Sequence, residues 1–154
     1  MDRMRESLFA ILGSLEGLSF LDLYAGSGIV GIEAASRGAS EVVFVEKDFR
    51  KKAVLAKNVA IVRQPVELRF MPVERYVRTT RREFDLIFLD PPYNQPGTLE
   101  VLDAIAARGL LRAGGTLVAH MPAEELPPEE PAGLRLSDRR TYGRAILSFY
   151  RRSE

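Results

Sequence analysis

Leu21-Asp22-Leu23-Tyr24-Ala25-Gly26-Ser27-Gly28-Ile29-Val30-Gly31 passes from an apolar strand through a glycine loop into a helix. The strand is Ser19 to Tyr24, and the helix runs from Ile29 to Arg37 with Gly38 as its stop. The same unit recurs downstream. Glu41 to Val45 reads as a buried strand ending at Glu46, before a long helix over Asp48 to Val62 with Asp48 as N-cap. A strand over Val66 to Phe70 precedes a helix over Val73 to Thr79. A third apolar run, Phe84 to Leu89, leads into Asp90-Pro91-Pro92-Tyr93, and Thr98 to Arg108 is helical with Thr98 as its cap. Strands that alternate with helices in this way predict a mostly parallel sheet with helices on both faces, an α/β fold.

The two ends of the chain complete that pattern. Met4, Leu8, Ile11 and Leu12 give Asp2 to Gly13 a helical spacing ended by glycine. Gly114-Gly115 turns into a strand over Thr116 to His120, and the proline- and glutamate-rich Met121 to Gly133 reads as a surface loop. Leu134 to Thr141 and Arg144 to Tyr150 flank Tyr142-Gly143 as an antiparallel hairpin. The 154 residues suffice for one core and contain no repeat or linker, so one domain over 1–154 is expected.

Composition removes several classes of function. The hydrophobic fraction of 46% is ordinary, and no apolar run has the ~18 residues of a membrane span. The charged start Met1-Asp2-Arg3-Met4-Arg5-Glu6 lacks the apolar core of a signal peptide. Cysteine is absent, which removes disulfides and thiolate metal sites, and a reducing cytoplasm is the natural compartment. Net charge is +1, so a nucleic-acid partner must be sought in local basic patches. Most arginines read as solvated faces, with Arg3, Arg5 and the cluster Arg139, Arg140 and Arg144 kept as candidates.

In open α/β sheets ligands bind at the carboxyl ends of the strands, where both motifs lie. Gly26-Ser27-Gly28-Ile29-Val30-Gly31 satisfies G-x-G-x-x-G, and Glu46 lies twenty positions beyond Gly26, as in dinucleotide-binding proteins. Glycine admits close approach of a ligand to backbone, and Glu46 can accept from two ribose hydroxyls. Asp22 separates two readings. A carboxylate before a helix N-terminus repels a pyrophosphate but suits the sulfonium and amino group of S-adenosylmethionine. Its bland alternative is a cap on loop amides. The expected cradle is Asp22, Tyr24, Ala25, Gly26, Ser27, Gly28, Glu46 and Lys47, with the Val73 backbone on the adenine side, where Met71-Pro72-Val73-Glu74 offers no Asp or Asn.

The second motif suits a planar amine. Pro91 and Pro92 fix φ and remove backbone donors, so that the Asp90 carboxylate and the Pro91 carbonyl can both accept from one NH2 group. Tyr93 can stack on the base. Asp90, Pro91, Pro92 and Tyr93 are thus the candidate catalytic residues, and the two motifs together imply methylation of an exocyclic amine, with no metal. The turn that ends a strand is the bland reading of the same four residues. His120, the only histidine, has no evident partner and reads as a loop-facing polar residue. The rivals are amine methylation on DNA or on a protein amide, a nicotinamide oxidoreductase, and a non-catalytic cofactor-binding module.

The chain resembles the bacterial 16S ribosomal RNA guanine-N2 methyltransferases of the RsmD type. Asp2-Arg3-Met4-Arg5-Glu6-Ser7-Leu8-Phe9 is similar to that family's Asp-Arg-Val-Arg-Glu-x-Leu-Phe segment, and Leu21 to Gly31 and Asp90 to Tyr93 to its cofactor and catalytic motifs. Arg140-Thr141-Tyr142-Gly143 and Leu147-Ser148-Phe149-Tyr150 resemble its closing hairpin. The resemblance implies a Rossmann-like class I S-adenosylmethionine-dependent methyltransferase with a seven-stranded sheet whose last strand is antiparallel. It implies S-adenosylmethionine at Gly26, Gly28 and Glu46, S-adenosylhomocysteine as product, and guanine held by Asp90 to Tyr93. The implied partner is 16S rRNA in the 30S subunit or its precursor, met by a monomer away from membranes. Pro72 stands where the family has Asp or Asn, and family members carry a glycine- and arginine-rich strand region ahead of the segment that here begins at Met1.

Overall fold

A computed structural model describes residues 2–127 and 130–153, apart from the side chain of Asp2. Seven strands form one sheet in the order β3-β2-β1-β4-β5-β7-β6. The strands are β1 (Ser19–Leu23), β2 (Glu41–Val45), β3 (Val66–Arg69), β4 (Phe84–Leu89), β5 (Leu111–Pro122), β6 (Arg135–Tyr142) and β7 (Ala145–Arg151). β1 to β5 pair in parallel, whereas β7 is antiparallel to both β5 and β6. The helices are α1 (Asp2–Leu12), α2 (Ile29–Ser36), α3 (Lys52–Val59), α4 (Val73–Thr79) and α5 (Thr98–Arg108). This is the Rossmann-like class I methyltransferase architecture, mostly parallel with an antiparallel closing hairpin.

The period of two along each strand sorts the core into two layers. Leu21, Leu23, Val43, Val45, Ile87 and Leu89 face α4 and α5, packing on Val77, Val101, Leu102 and Ile105. Phe20, Val42, Phe44, Leu86 and Phe88 face the other way, toward Leu8 and Phe9 of α1, Ala34 of α2 and Leu55 of α3. Gly31 lets α2 sit close on β2, since a Cβ there would stand 2.4 Å from Phe44 Cε2. Gly28, at φ 85°, turns the loop into α2 in a backbone region that side chains avoid.

Several boundaries differ from the sequence reading for local reasons. Asp48 does cap, but its Oδ1 accepts from Arg50 N–H at 3.0 Å and starts a 3-10 turn over Phe49–Lys51. The helix proper is therefore only Lys52–Val59. Gly97, not Thr98, is the N-cap of α5, and the Thr98 hydroxyl donates to the Gln95 carbonyl instead. Gly114-Gly115 does not precede a strand but lies inside β5. The register slips between the pairs Phe84–Leu111 and Leu86–Thr116, and Gly115 comes within 2.8 Å of two backbone carbonyls at its Cβ position. Met121 and Pro122, expected in a loop, extend β5 by pairing with Ile146 and Ala145. A 3-10 turn over Ala123–Glu125 follows, and Pro128 and Glu129 lie outside the described residues. The closing turn is Gly143-Arg144, because Tyr142 pairs with Ala145.

Candidate active site

β1 is followed in the sheet by β2 on one side and β4 on the other, so the strand order reverses between β1 and β4. That crevice is where an open α/β sheet receives its ligand. Leu23 is in register with Val45 and with Leu89, which sets Tyr24, Glu46 and Asp90 side by side at the strand ends. Ala25 N–H donates to the Val45 carbonyl at 3.0 Å, and Asp90 N–H approaches the Leu23 carbonyl at 3.4 Å.

Glu46 organises the cradle. Its Oε1 accepts from Gly26 N–H at 2.8 Å and its Oε2 from Asp48 N–H at 2.9 Å. Each carboxylate oxygen carries two lone-pair sites, so both retain capacity for a hydroxyl. Gly26 has no protein atom within 4 Å of its Cβ position, so a side chain there would project into open space. A cavity of about 320 Å³ opens beside these residues, lined among the expected positions by Tyr24, Gly26, Glu46, Lys47 and Val73. Lys51, Glu74 and Gln95 also line it and were not singled out by sequence. Val73 begins α4, whose first N–H groups lack intrahelical partners.

The other expected cradle residues shape the loop instead of lining the cavity. Gly28 N–H donates to the Ala25 carbonyl at 2.9 Å, and the Ser27 carbonyl accepts from Asn58 Nδ2 at 2.8 Å. Asp22 is 2% exposed, and its Oδ2 accepts from Gly31 N–H at 3.0 Å inside the first turn of α2. Strand alternation turns it toward α2, so it caps an amide, the reading set aside from sequence. Burial pushes its carboxyl well above the ordinary carboxylate range, against the Gly31 amide, and the charges of Asp90 and Glu46 add to the rise. The Tyr24 hydroxyl is buried without a hydrogen bond of acceptable geometry, although Thr98 stands close enough to favour the charged form slightly. Burial and the Glu74 carboxylate outweigh it and push this phenol to about 12.

Asp90 and Pro91 also line a second cavity of about 330 Å³, together with Tyr93, Met121 and Arg144. Tyr93 is 69% exposed at its mouth. Asn94, at φ 58°, closes the loop, and its N–H donates to Glu125 Oε1 at 2.8 Å, which ties the loop to the segment after β5. His120 also lines this cavity, and its Nδ1 lies 3.0 Å from Asp90 Oδ1. Sequence reading left it without a partner. The signal was the adjacency of two strand ends: Leu89 pairs with Ala119, so the next residues, Asp90 and His120, meet.

The basic candidates divide. Arg5 pairs with Glu33 at 3.5 Å, Arg140 with Asp138 at 2.9 Å, and Arg139 Nε donates to Ser148 Oγ at 3.1 Å. Arg144 borders the second cavity, and Arg3 borders an adjoining one of about 430 Å³. Among the described residues no cluster of three or more His, Cys, Asp or Glu is placed to hold a metal ion, and no helix is long and apolar enough to cross a membrane.

The family model described as Conserved hypothetical protein 95 matches residues 1–151. A putative rRNA methyltransferase, YlbH of Bacillus subtilis, is 32% identical over 98% of this chain and 85% of its own length. The ribosomal RNA small subunit methyltransferase D of Escherichia coli is 27% identical over 98% and 77%. A solved structure named as a putative methyltransferase, yhhF from Escherichia coli, superposes with a TM-score of 0.92 at 26% identity, covering 100% of this chain and 88% of that one. A conserved hypothetical protein of Streptococcus pyogenes superposes at 0.88 with 34% identity, covering 97% and 95%. With a class I fold and a crevice of this shape, the chain belongs to the Conserved hypothetical protein 95 family and is an S-adenosylmethionine-dependent methyltransferase.

Proposed function

We propose that this chain, acting as one domain over 1–154, methylates the exocyclic N2 amine of a guanine in 16S ribosomal RNA, on the 30S subunit or its precursor, as an RsmD-type enzyme. The observation that carries this reading is the position of Asp90 and Pro91 in the wall common to the two cavities. One cavity has the Gly26 loop and Glu46 for an adenosyl ligand. The other has an exposed tyrosine for a base and an arginine at its rim for phosphate.

Bound in the first cavity, S-adenosylmethionine supplies a methyl group on a cationic sulfonium, which passes to the amine as the C–S bond breaks and leaves S-adenosylhomocysteine. Glu46 accepts from the ribose hydroxyls while it keeps the Gly26 and Asp48 amides, and Val73 offers apolar contact and a helix-terminal N–H on the adenine side. Asp90 Oδ2 and the Pro91 carbonyl accept the two amine hydrogens. This directs the nitrogen lone pair at the methyl carbon, and the gain comes mainly from proximity and orientation. Asp90 then takes the proton released as the nitrogen becomes positive. Tyr93 stacks on the base, and Arg3 and Arg144 meet backbone phosphates.

The burial of Asp22 weakens the electrostatic case against a pyrophosphate, so the amine clamp and the relatives carry the preference for a methyl donor. Asp90→Ala tests the assignment. With cofactor binding intact by calorimetry, methyl transfer to 30S particles should fall by at least about a hundredfold. Full transfer by this variant would remove Asp90 from the chemistry.

A further inference from the structure

His120 is the only histidine in the chain, and its side chain is 12% exposed, against 30% for Asp90. It stands between the acceptor cavity and the adjoining cavity that Arg3 borders. Its cross-strand partner on β7 is Leu147, which offers no competing polar group. The 3.0 Å contact to Asp90 Oδ1 is thus the polar contact the structure gives this ring. Resting on the amine-methylation reading above, we propose that His120 is the positioning residue for Asp90. It carries its proton on Nδ1, donates to Oδ1, leaves Oδ2 free for the amine, and switches transfer off when it becomes charged.

The geometry requires such an orienter. Asp90 stands between two cavities and, being the first residue beyond β4, has no strand partner to fix its side chain. Holding Oδ1 on the ring leaves Oδ2 as the carboxylate oxygen available to the amine. With neutral imidazole the pair carries one negative charge, facing an amine that gains positive charge as its lone pair bonds the methyl carbon and the C–S pair returns to sulfur. The amine proton then passes to Oδ2 and on to solvent. With imidazolium the pair is neutral overall, and a cation stands one residue from the nascent one. Transfer must therefore fall when the ring takes up its second proton toward acid.

Other charged groups face the same space from each neighbouring element. Arg3 comes from α1, Arg144 from the hairpin turn and Glu124 from the 3-10 turn after β5, while Tyr93 and Tyr142 contribute phenols. Asp22 reaches the pair electrostatically from β1. Arginines stay charged throughout, but the buried Asp22 carboxyl, held well above the ordinary carboxylate range, is a second group able to change charge toward acid, and Asp22→Asn removes it. An acid limb that survives in Asp22→Asn and is lost in His120→Asn therefore belongs to the histidine.

Two readouts test this. With one histidine, ring 15N shifts report its tautomer without ambiguity and without any need for activity. Wild type should show the Nδ1–H form and Asp90→Ala should lose that preference; an Nε2–H form in wild type overturns the pairing. For kinetics, His120→Ala should lower kcat about ten- to a hundredfold, the scale of a misplaced reacting group, with the affinity for S-adenosylmethionine unchanged. His120→Asn places an amide N–H where Nδ1 stood, so it should recover most of that loss and show no acid limb. Wild-type kcat in His120→Ala, or an acid limb that persists in His120→Asn, overturns the proposal. Absence of methyl transfer by wild type at every pH would defeat the amine-methylation reading instead, and the tautomer would still decide the pair.

Discussion

Replacing Glu46 by glutamine exchanges one carboxylate oxygen for an NH2 group and should disturb both the loop and its ligand. The carboxylate is 9% exposed and holds Gly26 N–H at 2.8 Å and Asp48 N–H at 2.9 Å, one on each oxygen. Glutamine keeps one acceptor and presents NH2 to the other amide, so one charge-assisted bond becomes a neutral one and one donor is left facing a donor. Leaving a buried donor unsatisfied costs about 1–3 kcal/mol. For a chain of this length, ~2 kcal/mol lowers Tm by about 4–8 °C. The ribose meets the same NH2 group, so S-adenosylmethionine affinity should fall about ten- to a hundredfold in addition, read by calorimetry well below the new Tm. Urea melts give the first quantity. An unchanged melt together with an unchanged Kd would refute the reasoning, because it would mean that Glu46 supports neither the loop nor the ligand.

Asp22→Asn should keep the Gly31 hydrogen bond through its amide oxygen and remove a buried ionisable group. A carboxyl whose folded pKa is raised stays protonated while the unfolded chain ionises, so wild-type stability is highest below the ordinary aspartate range and declines as pH rises toward the folded value. The variant should lose that decline and equal or exceed wild type near pH 7, which pH-dependent urea melts will show; a variant less stable at pH 7 would contradict it. Gly31→Ala should destabilise by about 1–3 kcal/mol through overpacking, since Phe44 is fully buried and stands 2.4 Å from the added carbon, and chemical denaturation measures this. Tyr93→Ala should leave Tm unchanged, because the ring is 69% exposed, while KM for the RNA rises about five- to a hundredfold with the lost stacking.

What sequence displayed most clearly was local. Glycine at 26, 28 and 31, proline at 91 and 92 and the apolar runs before them mark where strands stop, and in a parallel sheet those stops define the crevice. Glu46 and Gly26, singled out by their spacing of twenty, are brought into contact because adjacent parallel strands align their ends. Contacts set by tertiary register were harder to see. Asp22 stands just ahead of the glycine loop in sequence, but strand alternation points it at the α2 amide. His120 gains its partner only because β5 lies beside β4 with Leu89 opposite Ala119. Lys51, Glu74 and Gln95 reach the cavity from a 3-10 turn, a short helix and a loop, and although the helix holding Glu74 was legible, which of its side chains face the crevice depends on tertiary packing. Gly114-Gly115 misled because the pair is a familiar turn signal, whereas here Gly115 serves the close approach of backbone inside β5.

The most direct test is to incubate the chain with 30S particles and methyl-labelled S-adenosylmethionine, digest the RNA to nucleosides, and identify the labelled product by mass spectrometry. The account predicts label in N2-methylguanosine from 16S rRNA, lost in Asp90→Ala. Label in methylated adenosine or in protein, or none on any 30S or precursor RNA despite S-adenosylmethionine binding, would contradict it.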